Sequence, residues 1–557
     1  MTAHRVAATR VSARASAAAA VVVVAAGLGH ALSMAWPFPT GFLPFVAGQP
    51  LWALQLAAMT VLVWALNSCT TARHGAWLGW LFATALQCGT WWWLFISLHT
   101  YGGLAWPLAV LTVVGLAGFL ALYYAVVCWL YVHLAQEFTA WRAIVFAALW
   151  LMAELARVQF FTGFPWGEGG YAQLDGPFAN LAKLVGVHGL TLGAAALAAT
   201  LARLIAQRHK RWRHVVVAAA VLVALGWASA SLHVANSGVS AFTAPLVTQQ
   251  PFTVTLLQGN ISQDEKFMAT TGIPEALNWY GQQLLSANTA LIVTPETALP
   301  VLPEELPAGY VDALIERFTA TPPHGERPTA ALFGIPLGSS REGFTNSVIG
   351  LKPQADGPPL AGVQKASAYR YDKHHLVPFG EFVHPLFKWF LKLVNMPLSD
   401  FNTGAVSQRS FDWQGQRIAP NICYEDLFGE ELAARFTLAS SAPTMFVNVS
   451  NIAWFGDSVA IDQHLNISRM RAIEFERVML RATNTGATAV IDARGEVVQS
   501  LPRLSRGILR ADVEGRTGVT PYAWWVGRLG LWPWWALCAG VVLLATWRQR
   551  RFTADAR

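Results

Sequence analysis

The sequence predicts an α-helical membrane bundle of eight spans joined to an extracytoplasmic α/β domain, and three observations support this fold class. Only 13% of the 557 residues are charged, against about 25% in ordinary soluble domains. Eight apolar runs are long enough to cross a bilayer, and the chain also contains 25 Trp residues, which favour membrane interfaces. One internal segment instead alternates short strands with helices. Charge this sparse excludes a disordered chain and argues against a purely soluble protein.

The apolar runs are each long enough to cross a bilayer, which needs about 20 residues. Arg5, Arg10 and Arg14 precede the first run as in a signal peptide, but the run continues into Trp36 and further spans follow it. We therefore expect the first run to be retained as a span. The fourth run is long, which predicts either a tilted helix or two shorter pieces. The eight predicted spans are residues 17–36, 46–66, 76–97, 104–133, 141–158, 184–206, 214–234 and 524–547.

The composition changes between about residues 235 and 520, where charged residues return and apolar runs shrink to strand length. Strands that alternate with helices are typical of an α/β domain. We therefore predict seven spans in 1–234, the α/β domain in 235–520, and the eighth span with a basic tail in 521–557. The predicted strands are residues 252–258, 290–294, 330–336, 347–351, 418–423, 444–449, 487–492 and 508–512, with helices at 274–287 and 460–481.

The basic excess of the chain lies in its membrane part. The formal net charge is +7, yet residues 235–520 contain 22 Lys and Arg against 27 Asp and Glu. This acidic domain argues against a nucleic-acid partner. With a cytoplasmic N-terminus, the basic loop residues fall on the cytoplasmic side, and Lys183 is the only Lys or Arg residue in the opposite short loops. The positive-inside pattern predicts that both termini are cytoplasmic and that the α/β domain lies in the periplasm of a bacterium.

One cysteine of the predicted α/β domain is a candidate nucleophile. The chain has no CxxC string or metal-binding spacing, so we expect neither a disulfide framework nor a metal site. Cys423 follows a predicted strand and is alone in the domain. In an oxidising compartment such a thiol is either buried and inert or a nucleophile, and its position leaves both interpretations open. The five cysteines are Cys69, Cys88, Cys128, Cys423 and Cys538.

A cysteine nucleophile needs a nearby base or cation, because an ordinary thiol is mostly protonated at neutral pH. Glu296 follows an apolar strand, and Lys373 lies in a comparable position. Either charge, taken alone, is also typical of a solvated surface. His374 and His375 offer a Cys–His pair, although no third group that would orient either ring is evident.

The order Glu296, Lys373, Cys423, each beside a predicted strand end, resembles the nitrilase superfamily, in which a Glu–Lys–Cys triad performs acyl transfer on an α-β-β-α sandwich. Together with the eight-span frame, the resemblance narrows to the apolipoprotein N-acyltransferase family and covers nearly the whole chain. The strings that support it are GFPW at 163–166, QGN at 258–260, PET at 295–297, KHHLVPFGE at 373–381, CYE at 423–425, SN at 450–451, WFGD at 454–457 and RATNTG at 481–486.

The resemblance implies a role for each triad residue. Glu296 is the general base, and Cys423 attacks the ester carbonyl of a phospholipid acyl chain to form a thioester. Lys373 faces the developing oxyanion together with the backbone N–H of Tyr424. The family reaction needs no metal and no organic cofactor.

The resemblance also suggests supporting residues around the triad. Glu381 matches a further family carboxylate, Glu425 the acidic residue two positions after the nucleophile, and Tyr424 the aromatic residue between them. A structural salt bridge is the alternative for Glu381 and for Glu425. Asn346 is expected either to position substrate or to be a turn residue.

An aromatic pair and two departures from the family pattern lie among the strings that carry the resemblance. Trp454 and Phe455 either belong to a core or form part of a lid that contacts acyl chains. Phe267 stands where the family often has Trp. Ile452 replaces an acidic residue of the usual family string, which puts any role of that position in doubt.

The function implied is N-acylation of a diacylated apolipoprotein at its N-terminal α-amine, with a phospholipid as the acyl donor. The resemblance implies a monomer in the bacterial inner membrane. The first alternative is a membrane-tethered nitrilase-type amidase or hydrolase that passes the acyl group to water. The second is a non-catalytic lipid-binding or transport protein, although the spans lack the broken or charged paired sites typical of transporters. Glu154 and Arg157, one helical turn apart, are predicted to form a salt bridge.

Overall fold

The computed structural model describes residues 2–39, 44–134, 141–206, 226, 229, 242–246, 251–320, 327–353, 368–383 and 400–555. The chain divides into two compact units, which we describe separately. The first unit comprises residues 1–95, 105–232 and 531–557, and the second comprises residues 96–104 and 233–530. The seventh predicted span, 214–234, lies outside the described residues apart from Gly226 and Ser229.

The first unit is built from helices, as predicted. Of the described helices, Trp106–Leu134, Trp141–Thr162 and Ala179–Ala206 are long and apolar enough to cross a membrane, and a fourth is added if Pro521–Leu529 and Trp532–Arg551 are taken as one bent span. The count of eight spans therefore stays a prediction. The helices of this unit are Thr2–Leu32, Trp52–Asn67, Ala72–Trp91, Trp106–Leu134, Trp141–Gln159, Ala182–Ala206 and Trp532–Asp555.

Helix Trp106–Leu134 shows why this unit belongs in a bilayer. It is one continuous helix rather than two shorter pieces. Leu111 and Val126 are more than half exposed on its outer face, while Tyr124 is fully buried on the inner face. A helix that is apolar on its exposed side as well as its buried side is typical of a membrane span.

The predicted salt bridge between Glu154 and Arg157 is present. The Arg157 Nη2 atom lies 2.6 Å from Glu154 Oε2, and both side chains are buried. Arg157 also donates hydrogen bonds to the main-chain oxygens of Phe164 and Trp166. The pair therefore fixes the turn that contains the string at 163–166, because a buried guanidinium must have its donors satisfied.

The second unit contains two six-stranded sheets that pack face to face. One sheet has the order β13-β2-β3-β4-β5-β6 and the other β12-β11-β10-β9-β8-β7, and β1 pairs with β14. The strands are β1 Thr243–Pro245, β2 Phe252–Gln258, β3 Leu291–Val293, β4 Ala330–Ser339, β5 Gly343–Leu351, β6 Tyr369–Asp372, β7 Phe411–Trp413, β8 Gln416–Ile422, β9 Met445–Ser450, β10 Val478–Thr483, β11 Ala489–Ile491, β12 Val497–Ser500, β13 Gly507–Val513 and β14 Arg516–Gly518.

Alternation along the strands explains the layers. In β3, Leu291 and Val293 point between the two sheets, whereas Ile292 points to the opposite face and packs with the helices there. Successive side chains of a strand point to opposite faces, so a strand covered on both sides is apolar throughout. Helices Gly272–Leu285 and Tyr310–Thr319 contribute to the outer core of this sheet.

The other sheet is covered by helix Ala460–Phe475, and this completes the α-β-β-α sandwich that the family resemblance implies. Strands β8, β9 and β10 are parallel to one another, as are β2, β3 and β4. The carboxyl ends of parallel neighbours meet at one edge of a sheet, which is where α/β proteins place their ligands.

Two predicted elements differ from the structure. The predicted helix 460–481 ends at Phe475, and β10 follows as a central strand. Glu476 adopts a left-handed conformation that stops the helix, and an apolar run in a central strand cannot be told from a buried helix by its pattern. The predicted span 524–547 coincides with two helices, Pro521–Leu529 and Trp532–Asp555.

We expect Phe475→Ala to destabilise the second unit. Phe475 is fully buried, and its ring packs against Phe436 and Phe446 with centroids 5.0 and 5.4 Å away. Removing a buried aromatic ring costs about 3–5 kcal/mol. Thermal unfolding of the detergent-solubilised protein should show a lower midpoint for Phe475→Ala, while Leu438→Ala, at an exposed position, should leave it unchanged. Equal midpoints for the two variants would contradict this assignment of the core.

Candidate active site

Cys423 is the first residue after β8, at the carboxyl edge of its sheet. Its φ of +52° is in the left-handed region, which is uncommon for a residue with a Cβ and tends to occur at functional sites. The thiol is half-buried, and Ser450 Oγ donates a hydrogen bond to its Sγ over 3.2 Å. The left-handed backbone therefore ends the strand at Cys423, and the thiol contacts Ser450 at the end of the neighbouring strand β9.

A buried polar network holds the main-chain oxygen of Cys423. His464 Nε2 lies 3.2 Å from that oxygen and 3.0 Å from Asp426 Oδ1. The Arg481 guanidinium lies 3.0 Å from His464 Nδ1, and because guanidinium only donates, Nδ1 must accept and Nε2 must carry the hydrogen. Asn448 Nδ2 also donates to the Cys423 oxygen. These contacts stabilise the strained turn.

Glu296, Lys373, Glu381 and Asn346 form one buried cluster. Lys373 Nζ lies 3.2 Å from Glu296 Oε1 and 2.8 Å from Glu381 Oε2. Asn346 Nδ2 donates to Oε1 of both carboxylates, over 2.7 and 2.8 Å. The backbone N–H of Asn451 donates to the second oxygen of Glu296 over 2.8 Å. The structure therefore brings the predicted base, cation and supporting carboxylate together.

The electrostatics of the cluster follow from burial and pairing. Burial would raise the pKa of Glu296, but Lys373 and Asn346 outweigh it and hold the pKa below its ordinary value. Burial would lower the pKa of Lys373, but Glu296 and Glu381 raise it. Burial, and then Glu296, raise the pKa of the Cys423 thiol to about 12. Glu296 is therefore an ionised acceptor at neutral pH, while Cys423 rests as a thiol.

Asn346 lies in strand β5 and not in a turn, so the turn interpretation is wrong. Glu381 does form a salt bridge, but its partner is Lys373, so the structural and the supporting interpretations coincide. The backbone N–H of Val377 also donates a hydrogen bond to Glu381 Oε2, over 2.9 Å. Both side chains therefore orient Lys373 and Glu296.

Glu425 joins the nucleophile turn to the segment that contains Lys373. Its carboxylate accepts hydrogen bonds from the backbone N–H groups of Ile422 and His374, over 2.6 and 2.7 Å, and from the Tyr371 hydroxyl. It makes no ion pair with the residues that the structure describes. Burial raises its pKa. The contacts make Glu425 a positioning residue in place of a salt-bridge partner.

Neither histidine of the predicted Cys–His pair is bonded to the thiol. His374 Nδ1 contacts the main-chain oxygen of Gly404 over 2.7 Å, and His375 Nδ1 lies 2.9 Å from Glu431. The buried Tyr424 ring packs against His375, with centroids 5.7 Å apart. Both histidines therefore belong to the wall of the site.

Trp454 and Phe455 lie in the 3₁₀ helix Ile452–Phe455, and both side chains are half-buried. The Trp454 ring packs edge-on against Tyr101, with centroids 5.9 Å apart, and Ser97 Oγ donates to the Trp454 main-chain oxygen. This packing agrees with the expectation that the aromatic pair belongs in part to a core. Contact with acyl chains stays a prediction.

Phe267 and Ile452 occupy contrasting environments. The Phe267 side chain is 47% exposed, so it is available to a ligand. Ile452 is buried, so an aliphatic side chain is well accommodated where an acidic residue is usual in the family.

Sequence reasoning missed Gln263 and Lys266 as site residues. Lys266 Nζ donates to the main-chain oxygen of Glu296 over 3.2 Å, and Gln263 accepts from the Asn451 side chain. Both lie in the turn that follows β2, five and eight residues after Gln258. The string at 258–260 marked this place, but a turn residue's side chain has no periodic pattern that would predict burial.

Gly334 on β4 is required by the position of Glu296. A Cβ at this position would lie 2.4 Å from the main-chain oxygen of Pro295 and 2.6 Å from the N atom of Thr297. Thr297 itself has a φ of +49°. Only glycine allows the backbone of the base to cross β4 this closely.

No group of His, Cys, Asp or Glu in the described part of the chain has an arrangement that could hold a metal ion. A nucleophile at the end of a strand of one sheet, with an ionised carboxylate and a paired cation at strand ends of the other, can carry out acyl transfer through a covalent intermediate.

Comparison with known proteins places this arrangement in a family. The model of the apolipoprotein N-acyltransferase N-terminal domain matches residues 28–200, and the carbon-nitrogen hydrolase model matches residues 253–522. The chain is 50% identical to an apolipoprotein N-acyltransferase of Verminephrobacter eiseniae over 523 residues, which cover 91% of this chain and 92% of the relative. The chain belongs to the apolipoprotein N-acyltransferase family. The family resemblance read from the sequence is thereby confirmed.

A second apolipoprotein N-acyltransferase, from Ralstonia nicotianae, is 44% identical over 507 residues, which cover 90% of each chain. Among solved structures, an amidase from Nesterenkonia sp. aligns with 50% of this chain and 94% of its own, at 16% identity and a TM-score of 0.32. The N-acyltransferase relatives thus cover both the helical part and the sandwich.

We expect Gly334→Ala to reduce the activity of this N-acyltransferase family member without unfolding it. The added Cβ must displace the backbone around Glu296, and a base misplaced by about 1 Å costs on the order of 100-fold in rate. Gly507→Ala, in the same sheet, meets only the tip of the Leu501 side chain and serves as the control. Acylation rates at equal expression are the measurement. Equal rates for the two variants would show that Gly334 does not position the base.

We expect Lys373→Met to destabilise the protein more at pH 7.5 than at pH 5. In the wild type, the lowered pKa of Glu296 stabilises the fold above the unfolded value of about 4.3, and this is lost as pH falls through the folded value. Without Lys373, burial raises the pKa of Glu296, so an unpaired carboxylate costs about 3–5 kcal/mol at neutral pH. Protonation at low pH relieves that cost.

Thermal midpoints at both pH values, with Lys352→Met as the control, measure this difference. Lys352 donates to the main-chain oxygen of Asp412, which does not belong to the cluster. A midpoint loss that is the same at both pH values would refute the pairing of Lys373 with an ionised Glu296.

Proposed function

We propose that this chain transfers an acyl chain from a membrane phospholipid, through a thioester on Cys423, to the N-terminal α-amine of a diacylated apolipoprotein. The observation that carries the proposal is the buried cluster of Glu296, Lys373 and Glu381, which interacts with Cys423, a residue whose backbone is in the left-handed conformation. Membership of the apolipoprotein N-acyltransferase family and the apolar helices of the first unit support the choice of substrates.

In the first half-reaction, Cys423 forms the thioester. Its thiol proton passes to Glu296 as Sγ bonds to the ester carbonyl carbon, and the oxyanion faces Lys373 and the backbone N–H of Tyr424. Because Glu296 Oε2 accepts a single hydrogen bond, from Asn451, this oxygen has a lone pair for the proton. The C–O bond then breaks, and the leaving lysophospholipid oxygen takes the proton from Glu296.

In the second half-reaction, the neutral α-amine of the acceptor attacks the thioester carbonyl. An α-amine has a pKa near 7.7–8.0, so a useful fraction is unprotonated at neutral pH. Glu296 takes the N–H proton, the C–S bond breaks, and the leaving sulfur takes that proton back. The amide product leaves, and the site returns to its starting state.

The proposal includes a location for these steps. Eight spans with both termini in the cytoplasm would place the sandwich in the periplasm, at the inner membrane of a bacterium. The distribution of basic residues along the sequence supports this orientation. A single chain contains the complete triad, so a monomer is sufficient. Both substrates reside in the membrane, and a site at the bilayer surface can receive each in turn.

Two other functions are outcomes of the same experiment. A membrane-tethered amidase or hydrolase of the nitrilase type would form the thioester and release free fatty acid. A non-catalytic lipid-binding or transport protein would form no covalent intermediate. The buried and hydrogen-bonded Glu296 favours catalysis, because burying an ionised carboxylate has no evident use in a passive binding surface.

We expect the intact protein, incubated with phospholipid alone, to gain the mass of one acyl chain on Cys423. The thioester should be lost on treatment with hydroxylamine, and adding a diacylated lipopeptide should discharge it with formation of an N-acylated peptide. Intact-mass spectrometry of both protein and peptide measures these steps.

Cys423→Ala should abolish the mass gain, and Cys69→Ala, which removes a half-buried thiol of the first unit, should not. Release of fatty acid without N-acylated peptide would favour the hydrolase. In cells, consumption of the lipopeptide should depend on this protein. If it does and the wild-type protein still forms no adduct, the covalent mechanism is rejected.

A further inference from the structure

Two buried donors beside Glu296 have no part in the acyl-transfer steps described above. Gln263 and Lys266 lie three residues apart in a turn held by the hydrogen bond from the Lys266 N–H to the Ser262 oxygen. Residues with this spacing in a helical turn lie on the same side of the backbone. Both side chains are almost completely buried.

Lys266 is a buried ammonium group with unused donors. Its Nζ donates to the main-chain oxygen of Glu296, which uses one of its three N–H groups. Within the described part of the chain no carboxylate forms an ion pair with it. By contrast, Lys373 is paired with two carboxylates. Glu296 attracts Lys266 without forming an ion pair with it, so a ligand that supplies a negative charge would further reduce the cost of burying this cation.

The orientation of Gln263 follows from a chain of hydrogen bonds that begins at the backbone. The Ile261 N–H donates to Asn484 Oδ1, so Asn484 Nδ2 must be the donor to Asn451 Oδ1. Asn451 Nδ2 then donates to Gln263 Oε1. This leaves Gln263 Nε2 as a buried donor without a hydrogen-bond partner among the described residues. Such groups are rare in folded proteins and need an explanation.

We propose that Gln263 Nε2 and Lys266 Nζ, here named the donor pair, bind a phosphodiester oxygen of the acyl donor. The inference rests on the proposed function and adds the part of the phospholipid that the site recognises. A phosphodiester offers only acceptors and a negative charge, which matches a pair that offers only donors and a positive charge.

The charge of the donor pair selects between the two substrates. The acceptor brings an α-amine, which donates hydrogen bonds and is partly cationic at neutral pH. A lysine repels such a group, so the donor pair suits the first half-reaction and not the second. The phosphate of a glycerophospholipid lies a few bonds from the ester that Cys423 attacks, so a phosphate subsite must lie beside the nucleophile.

Electrostatic coupling places Lys266 on the nucleophile side of the site. Burial lowers the pKa of Lys266 to about 8, and Glu296 and Cys423 act in the opposite direction. Lys266 is thus close enough to both groups to interact with them. At pH 7 the group is still mostly protonated, and a phosphodiester in contact would favour the charged form further.

The first half-reaction, measured without acceptor, tests the donor pair. Wild type and Lys266→Met are acylated with a phospholipid and, separately, with a p-nitrophenyl ester that has the same acyl chain and no phosphate. We expect Lys266→Met to lose roughly 10- to 100-fold in kcat/KM with the phospholipid, mainly through KM, because it removes a charge-assisted hydrogen bond. The rate with the phosphate-free ester should fall by a much smaller factor, which reports only the support that Lys266 gives to the backbone of Glu296.

Further variants separate binding from support of Glu296. Lys266→Arg should restore most of the phospholipid activity, Gln263→Leu should cause a smaller loss of the same kind, and Lys352→Met should have no effect. If Lys266→Met slows both donors equally, Lys266 only supports the backbone of Glu296 and the proposal is wrong. If wild type is acylated by the ester but never by phospholipid, the proposed function itself fails.

Inorganic phosphate and glycerophosphate distinguish the source of the bound group. Glycerophosphate that competes with phospholipid in wild type, and not in Lys266→Met, would show that the donor pair recognises the lipid headgroup linkage. Equal competition by inorganic phosphate would indicate a general phosphate site, which contradicts selection of the phospholipid. No competition by either, combined with unchanged KM in Lys266→Met, would refute phosphate binding altogether.

Discussion

Lys373 holds two carboxylates in one buried cavity, and the catalytic unit is built around that balance of charge. Glu296 and Glu381 would repel each other and resist burial if no cation lay between them. Lys373 contacts both, and Asn346 adds a hydrogen bond to each. Because Glu296 follows β3, Asn346 lies in β5 and Lys373 follows β6, the cluster ties together three strands of one sheet.

The nucleophile comes from the other sheet, so the two sheets must be held in register for the triad to meet. Glu425 does this through hydrogen bonds from the Ile422 and His374 backbones, one on each side. The strained backbone of Cys423 is stabilised from behind by Asn448 and His464. Strain of this kind persists only where the surroundings compensate for it. The apolar core between the sheets therefore serves the site as much as the fold.

The polar groups of the site are sorted by charge. The Glu296 carboxylate accepts hydrogen bonds from Lys373, Asn346 and the Asn451 backbone, and these contacts keep it ionised and able to accept a proton. The turn at Gln263 and Lys266 instead presents donors that the protein leaves incompletely satisfied. A carboxylate that accepts protons, next to a pair of hydrogen-bond donors, suits a substrate in which the reacting ester lies close to an anionic group. The helical unit has its own buried pair, Glu154 and Arg157, which fixes a turn and is fully explained by structure.

Much of the molecule could be predicted from the sequence because the signals are local. Apolar run length predicts membrane helices, strand-length runs predict the sandwich strands, and Glu296, Lys373 and Cys423 stand at strand ends within recognisable strings. The boundary between helix Ala460–Phe475 and β10 could not be predicted, because a short apolar run such as 478–480 does not distinguish a helix from a strand.

Pairings between distant residues were decided only by the tertiary structure. Asn346 contacts a carboxylate 50 residues away, and Asn451 contacts the same carboxylate from 155 residues away. Local pattern has no information on such contacts, since they arise when strands distant in sequence become neighbours. The burial of Gln263 and Lys266 is of the same kind: a polar turn is expected to be solvated, and only packing against Glu296 and Asn451 makes it part of the site.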